Sequence, residues 1–152
     1  MEAKELMVEL GKRLGIELGA VDTCSFEADG LAISINHVAE LDAIALMGDI
    51  GEPPPEKLEG LYKTLLGANH LFGGTGGATI SLDPDSDRIA LCRALPLVTL
   101  DGETLYREIE RFINTAETWA KIVADYRTAA DAASEIEEDA PPAFTENGFM
   151  QV

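Results

Sequence analysis

Leu6, Met7, Leu10 and Leu14 recur at helical spacing near the N-terminus, and Gly15 stands just past the last of them. This pattern predicts an amphipathic helix over residues 2–14 with a glycine stop. Residues 16–21 are apolar but follow neither the helical nor the strand period. The dipeptide Asp29-Gly30 then sits between two alternating runs, the favoured two-residue turn of a hairpin. With that pair in the loop, Ala28 opposes Leu31, Phe26 opposes Ile33 and Cys24 opposes Ile35. One face of the hairpin is then apolar, and the other carries Thr23, Ser25 and Glu27 against Ala32, Ser34 and Asn36. A slip of one residue would bury the polar set, so the pattern specifies the register.

Residues 41–50 predict a third strand with apolar positions on both faces, Leu41, Ala43, Ala45 and Met47 against Ile44, Leu46 and Ile50. Such a strand is central in a covered sheet or covered by something outside the chain. Prolines at positions 53–55 break the pattern and suit a helix start. Leu58, Leu61, Tyr62, Leu65 and Leu66 then form the stripe of a helix over residues 56–70. The glycine-rich residues 73–77 read as a flexible connector. Strands follow over residues 78–83 and 88–94, joined by the turn-forming Pro84-Asp85-Ser86-Asp87. Asp101 is an N-cap candidate for a last helix from Gly102 to about residue 133, with Leu105, Ile109, Phe112, Ile113, Ala116, Trp119 and Val123 as its stripe. The element order is α-β-β-β-α-β-β-α, an α+β fold with an antiparallel twisted sheet packed by helices.

Charge changes the picture at the C-terminus. No basic residue follows Arg127, and the last stretch carries Asp131, Glu135, Glu137, Glu138, Asp139 and Glu146 with two prolines. The expected organisation is therefore one α+β domain over residues 1–127 and an acidic, disordered tail over residues 128–152. Over all 152 residues, 28 acidic against 11 basic side chains give a formal charge of −17. That field repels phosphate backbones and anionic lipid, which argues against nucleic-acid and membrane partners. The N-terminus lacks the uninterrupted apolar core of a signal peptide, and Cys24 and Cys92 form no paired motif. A reduced, cytoplasmic protein is expected.

Chemistry is sparse. The glycine cluster follows a helix and opens a strand, the reverse of a dinucleotide-binding loop, and it lacks the Gly-Lys-Ser/Thr ending of a phosphate loop. Asp83, Asp85 and Asp87 alternate like calcium ligands, but Arg88 and Ala94 stand where that loop needs Gly and Glu. His37 and His70 have no partner at metal-ligand spacing. No nucleophile–base arrangement has a local signature, so no enzyme, metal or cofactor is expected.

Several stretches together bring a family into view. They are Lys12-Arg13-Leu14-Gly15-Ile16 and the hairpin over residues 24–33. A third is Leu65-Leu66-Gly67-Ala68-Asn69-His70-Leu71-Phe72, followed by Gly76-Gly77-Ala78 and the strand after it. The last are Leu95-Pro96-Leu97 and the helix from Phe112 to Trp119. Over about residues 1–125 the chain resembles the CesT-like (Tir chaperone) family of type III secretion chaperones. The resemblance implies a non-catalytic homodimer that holds the N-terminal region of a secreted effector extended and competent for export. It implies a dimer interface on the second helix and following strand, here Leu58, Tyr62, Leu65, Leu66, Ile80 and Leu82. It implies a client surface on the first helix and nearby strands, here Met7, Leu14, Ile16, Leu18, Ile44 and Leu46. The residues support this independently, because Met7, Ile16, Leu18, Val21 and one face of residues 41–50 exceed what one hairpin face needs. The alternative is a non-catalytic adaptor or regulatory subunit that docks a folded protein.

Overall fold

The computed structural model describes residues 1–139, with side chains through residue 132. Three helices and five strands follow in the expected order: α1 (Ala3–Leu14), β1 (Thr23–Ala28), β2 (Leu31–Val38), β3 (Ala43–Gly51), α2 (Leu58–Asn69), β4 (Thr79–Leu82), β5 (Ile89–Pro96) and α3 (Gly102–Asp139). The strands form one antiparallel sheet in the order β1-β2-β3-β5-β4. The architecture is α+β.

The hairpin takes the register that its pattern demands, with Cys24 opposite Ile35, Phe26 opposite Ile33 and Ala28 opposite Leu31. Asp29 and Gly30 both adopt positive φ, 51° and 83°, as a tight turn matched to strand twist requires. The same parity passes across the sheet, since Ile33 pairs with Gly48, Ile35 with Leu46, Gly48 with Leu91 and Ile44 with Leu95. One face therefore collects the large apolar side chains. They join Leu6, Met7 and Leu10 of α1 and Leu105, Ile109, Phe112, Ala116 and Val123 of α3 in a single core. The opposite face carries Ser25, Glu27, Ala32, Ser34, Ala45, Met47, Ala90 and Cys92, small or polar except for Met47. No helix among the described residues is long and apolar enough to cross a membrane.

Gly48 sets the closeness of this packing. A Cβ there would lie 3.2 Å from Ile33 Cδ1 and 3.3 Å from Phe112 Cε1, so its absence lets α3 settle onto the middle of the sheet. The ambiguity of β3 is thereby resolved. It is central, covered by α3 on one face and, among the described residues, open on the other.

Several expected boundaries shift. Leu41 is not in β3 but in a 3-10 turn (Ala39–Leu41), because Asp42 adopts φ 48° and reverses the chain there. α2 starts at Leu58 rather than residue 56: Lys57, not a proline, precedes it with φ 61°, and the prolines lie before the turn. The glycine-rich connector is not free. The Trp119 indole N–H donates to the Gly74 carbonyl at 2.8 Å, and Arg93 donates to the Gly76 carbonyl at 3.2 Å. Arg93 also meets Glu108 of α3 at 2.7 Å, so one cation ties β5, the connector and α3. α3 begins as expected, with the Thr104 N–H donating to Asp101 Oδ1 at 2.7 Å. That bond holds the Asp101 carboxyl below the usual range. The helix then runs to Asp139, six residues past its expected end near residue 133 and into the expected tail. Alanine and glutamate are strong helix formers there, and Arg127 anchors the stretch before it to Glu52 at 2.7 Å. The rest of the expected tail, residues 140–152, lies outside the described residues.

Phe112 is almost wholly buried where α3 meets Gly48. Truncation to Ala is expected to cost about 3–5 kcal/mol in chemical unfolding. A loss within ~0.5 kcal/mol, the range of surface changes, would contradict this placement.

Candidate functional site

The connection between α1 and β1 is built on two glycines. Gly15 ends α1 in the left-handed conformation, φ 72°, and turns the chain back. The Ile16 N–H then donates to the Gly11 carbonyl at 2.9 Å. A Cβ on Gly11 would lie 2.8 Å from the Ile16 carbonyl oxygen and 2.9 Å from both the nitrogen and Cβ of Leu18. A glycine inside a helix costs about 1 kcal/mol relative to alanine, and here the close approach of the returning chain requires it. Leu14 and Leu18 rest half-buried against the core, while Ile16 is 47% exposed and Val21 also faces outward. The result is an apolar segment on the surface that leads directly into β1.

β1 is the edge of the sheet. The Asp22 carbonyl accepts the His37 N–H at 2.7 Å, which sets the hydrogen-bonding parity of the pair. Cys24, Phe26 and Ala28 consequently bond toward β2, and Thr23, Ser25 and Glu27 turn their N–H and C=O groups away from the sheet. Among the described residues nothing pairs with these three successive outward positions, which form an open strand edge beside the apolar segment.

Three residues expected at the client surface are elsewhere. Met7, Ile44 and Leu46 are fully buried in the core, where α1 and β3 meet α3. Their helical or alternating spacing marks a buried face equally well, and only the sheet order shows that β3 is covered. Leu14, Ile16 and Leu18 are the members of that set that reach the surface.

A second apolar region lies between α2 and β4. Tyr62, Leu65, Leu66, Asn69, Ile80, Leu82 and Ile89 line a groove of about 240 Å³. Leu65 and Ile80 form its buried floor, whereas Leu66 is 69% exposed and Leu82 45% exposed. Five of the six residues expected at a dimer interface thus converge, and half-buried Leu58 is not part of the lining. The Thr64 hydroxyl lies 2.9 Å from the Tyr126 hydroxyl, which helps hold α2 against α3.

The open sheet face forms a third, broader hollow of about 470 Å³ around Ser25, Ala32, Ser34, Met47 and Ala90. Its rim is ionic: Arg88 meets Asp49 at 2.7 Å and Glu52 at 2.9 Å. The hydrogen bond from Arg88 to the Asp49 carboxylate pushes the guanidinium pKa up. Asp83 serves its own turn, accepting the Asp85 N–H at 2.9 Å, and that bond lowers its pKa. His37 Nδ1 lies 3.3 Å from Asp22 Oδ1. Cys24 and Cys92 are free and half-buried, and burial pushes the Cys24 thiol up. No group of three or more His, Cys, Asp or Glu side chains able to hold a metal occurs among the described residues.

The arrangement is an α+β domain with an open strand edge at one end of the sheet and an apolar groove at the other. The profile of the Tir chaperone protein (CesT) family matches residues 5–120, and the chain belongs to that family. No curated protein sequence matches it. Among solved structures, a chain of the ExsC–ExsE complex superposes with a TM-score of 0.66 at 19% identity, covering 79% of this chain and 92% of that one. A chain of the HopA1–SchA chaperone–effector complex gives 0.64 at 19% identity, covering 78% and 92%. One from the heterodimeric ExoU–SpcU complex of the Pseudomonas aeruginosa type III secretion system gives 0.62 at 16% identity, covering 80% and 98%. At such identities the likeness establishes the shared fold.

Gly11 and Asn69 escape a reading of the sequence, since one owes its role to a returning loop and the other bonds through its side-chain amide to the Ile80 main chain of β4. A lone glycine inside an amphipathic stripe was the available signal for Gly11. Gly11→Ala is expected to displace residues 16–18 and lower the melting temperature despite the better helix propensity of alanine. An unchanged or raised melting temperature would mean that the loop does not need this contact.

Proposed function

We propose that the chain is a type III secretion chaperone that binds the N-terminal region of an effector in extended form and keeps it competent for export. The observation that carries this reading is the open β1 edge, continuous with the apolar segment through Leu14, Ile16 and Leu18. Main-chain groups of Thr23, Ser25 and Glu27 suit the pairing of an added strand, and apolar pockets beside an edge select alternate side chains of that strand. A folded partner would not need such an edge. Among the similar structures, HopA1–SchA is a chaperone–effector complex and ExoU–SpcU belongs to a type III secretion system, which supports a secreted protein as client. The charge of −17 favours segments that are themselves basic or neutral.

The proposed assembly is a homodimer through the groove of Tyr62, Leu65, Leu66, Ile80 and Leu82. An exposed apolar pair such as Leu66 and Leu82 over a buried apolar floor is the anatomy of an interface centre.

Two measurements test the reading. For the client, the effector is captured from the native host, and its N-terminal segment is titrated against variants while thermal unfolding is followed. Ile16→Ser with Leu18→Ser is expected to weaken binding at least tenfold with a small loss of stability. Ile33→Ala, in the core, is expected to cost about 2–5 kcal/mol of stability. Normal binding by the Ile16 and Leu18 variant, or amide protection of a folded region of the effector in place of its N-terminal segment, would refute the extended-client reading. For the dimer, Leu66→Glu is expected to shift sedimentation from dimer to monomer without unfolding, because Leu66 contributes little to the protomer's core. Wild-type protein sedimenting as a monomer at micromolar concentration would refute the interface.

A further inference from the structure

The two edges of the sheet are chemically unequal. On β4 the Asp83 N–H donates to the Arg88 carbonyl at 2.8 Å, so the outward-facing positions of this strand are Ile80 and Leu82. Ile80 is not free. Its N–H donates to Asn69 Oδ1 at 2.8 Å, and its carbonyl accepts from Asn69 Nδ2 at 2.9 Å. The amide orientation follows from the partners, because a backbone N–H requires an oxygen and a backbone carbonyl requires the NH₂. One step earlier, the Ala78 N–H is taken by the Thr75 carbonyl at 3.2 Å. A primary amide presents the same donor and acceptor as a peptide unit, so Asn69 occupies the place that a neighbouring strand would take.

We propose that Asn69 is an edge plug: its side-chain amide closes β4 to strand addition and leaves β1 as the edge at which this sheet accepts an extended segment. Exposed edges are a route to uncontrolled association, and proteins block them with charges, bulges or covering elements. Here a helix end supplies a single side chain for the purpose. β4 spans only four residues, Thr79–Leu82, so occupying Ile80 leaves Leu82 as its one outward position beyond the plug. β1 keeps three.

Hydrogen exchange on the full wild-type chain, followed residue by residue without any client, is the first test. The Ile80 amide is expected to be protected while the Ser25 and Glu27 amides exchange freely. Exchange of Ile80 as fast as theirs would overturn the plug. In Asn69→Ala, Ile80 exchange at low concentration is expected to rise about tenfold, the worth of a typical lost hydrogen bond. At high concentration this variant is expected to form larger species than wild type. Asn69→Asp, which keeps the acceptor and loses the donor, is expected to fall between. A lysine at an edge discourages pairing, so Thr79→Lys in the Asn69→Ala background is expected to restore the wild-type size. Loss of α2 anchorage alone would not be rescued in this way. An Asn69→Ala chain of wild-type size at all concentrations, or larger species that persist with the lysine, would overturn the proposal. None of these measurements needs a client, so their failure leaves the chaperone reading intact.

Discussion

The contact between α3 and the centre of the sheet at Gly48 is the constraint on which the other features depend. Phe112 and Ala116 approach Gly48 and Ile33 closely, which draws the long helix across β3 and β2 and commits that face of the sheet to the core. Once that face is covered, parity leaves the opposite face with alanines, serines and Met47. The same helix receives α1 along one flank and supports α2 through Tyr126, so both ends of the sheet are positioned by it. Burial of this size, at about 25 cal/mol per Å² of apolar surface, supplies the driving force that lets the edges stay polar and irregular.

The two ends of the sheet use that support differently. At the β1 end, glycines at positions 11 and 15 bring residues 16–18 back onto α1 and leave an apolar strip beside unpaired main-chain groups. At the β4 end, Asn69 satisfies Ile80 while Leu66 and Leu82 present side chains around a groove. One end offers backbone hydrogen bonds, the other offers apolar packing. The proposed holding of an extended chain and the proposed self-assembly would draw on these two modes at separate sites, so that neither partner competes for the other's surface.

Polar contacts serve mainly to fix connections. Arg93 ties the glycine-rich turn to Glu108, Trp119 holds the same turn through Gly74, and Arg88, Glu52 and Arg127 join β5, the end of β3 and α3. Most of these groups are partly exposed, so each pair contributes modestly to stability. Their value lies in position: they hold the connector that places β4, and hence the Asn69–Ile80 contact, where it is.

The alternation around Asp29-Gly30, the leucine spacing of the helices and the Asp101 cap were legible in the sequence, because each is a local pattern that backbone geometry answers directly. Element order and hairpin register followed from them, while the family came from the resemblance of particular stretches such as Leu65-Leu66-Gly67-Ala68-Asn69-His70-Leu71-Phe72. Which apolar residues reach the surface did not, since Met7, Ile44 and Leu46 carry the same periodicity whether their face meets α3 or a partner. The roles of Gly11, Gly48 and Asn69 were likewise invisible, each being defined by atoms distant in sequence: a returning loop, a crossing helix, an edge strand. The sequence by itself determined the elements and the side of each that is apolar, because period and turn chemistry are properties of neighbouring residues. Only the tertiary structure decided which apolar side is covered and which strand edge is closed, because both depend on close approaches between segments that local periodicity does not encode.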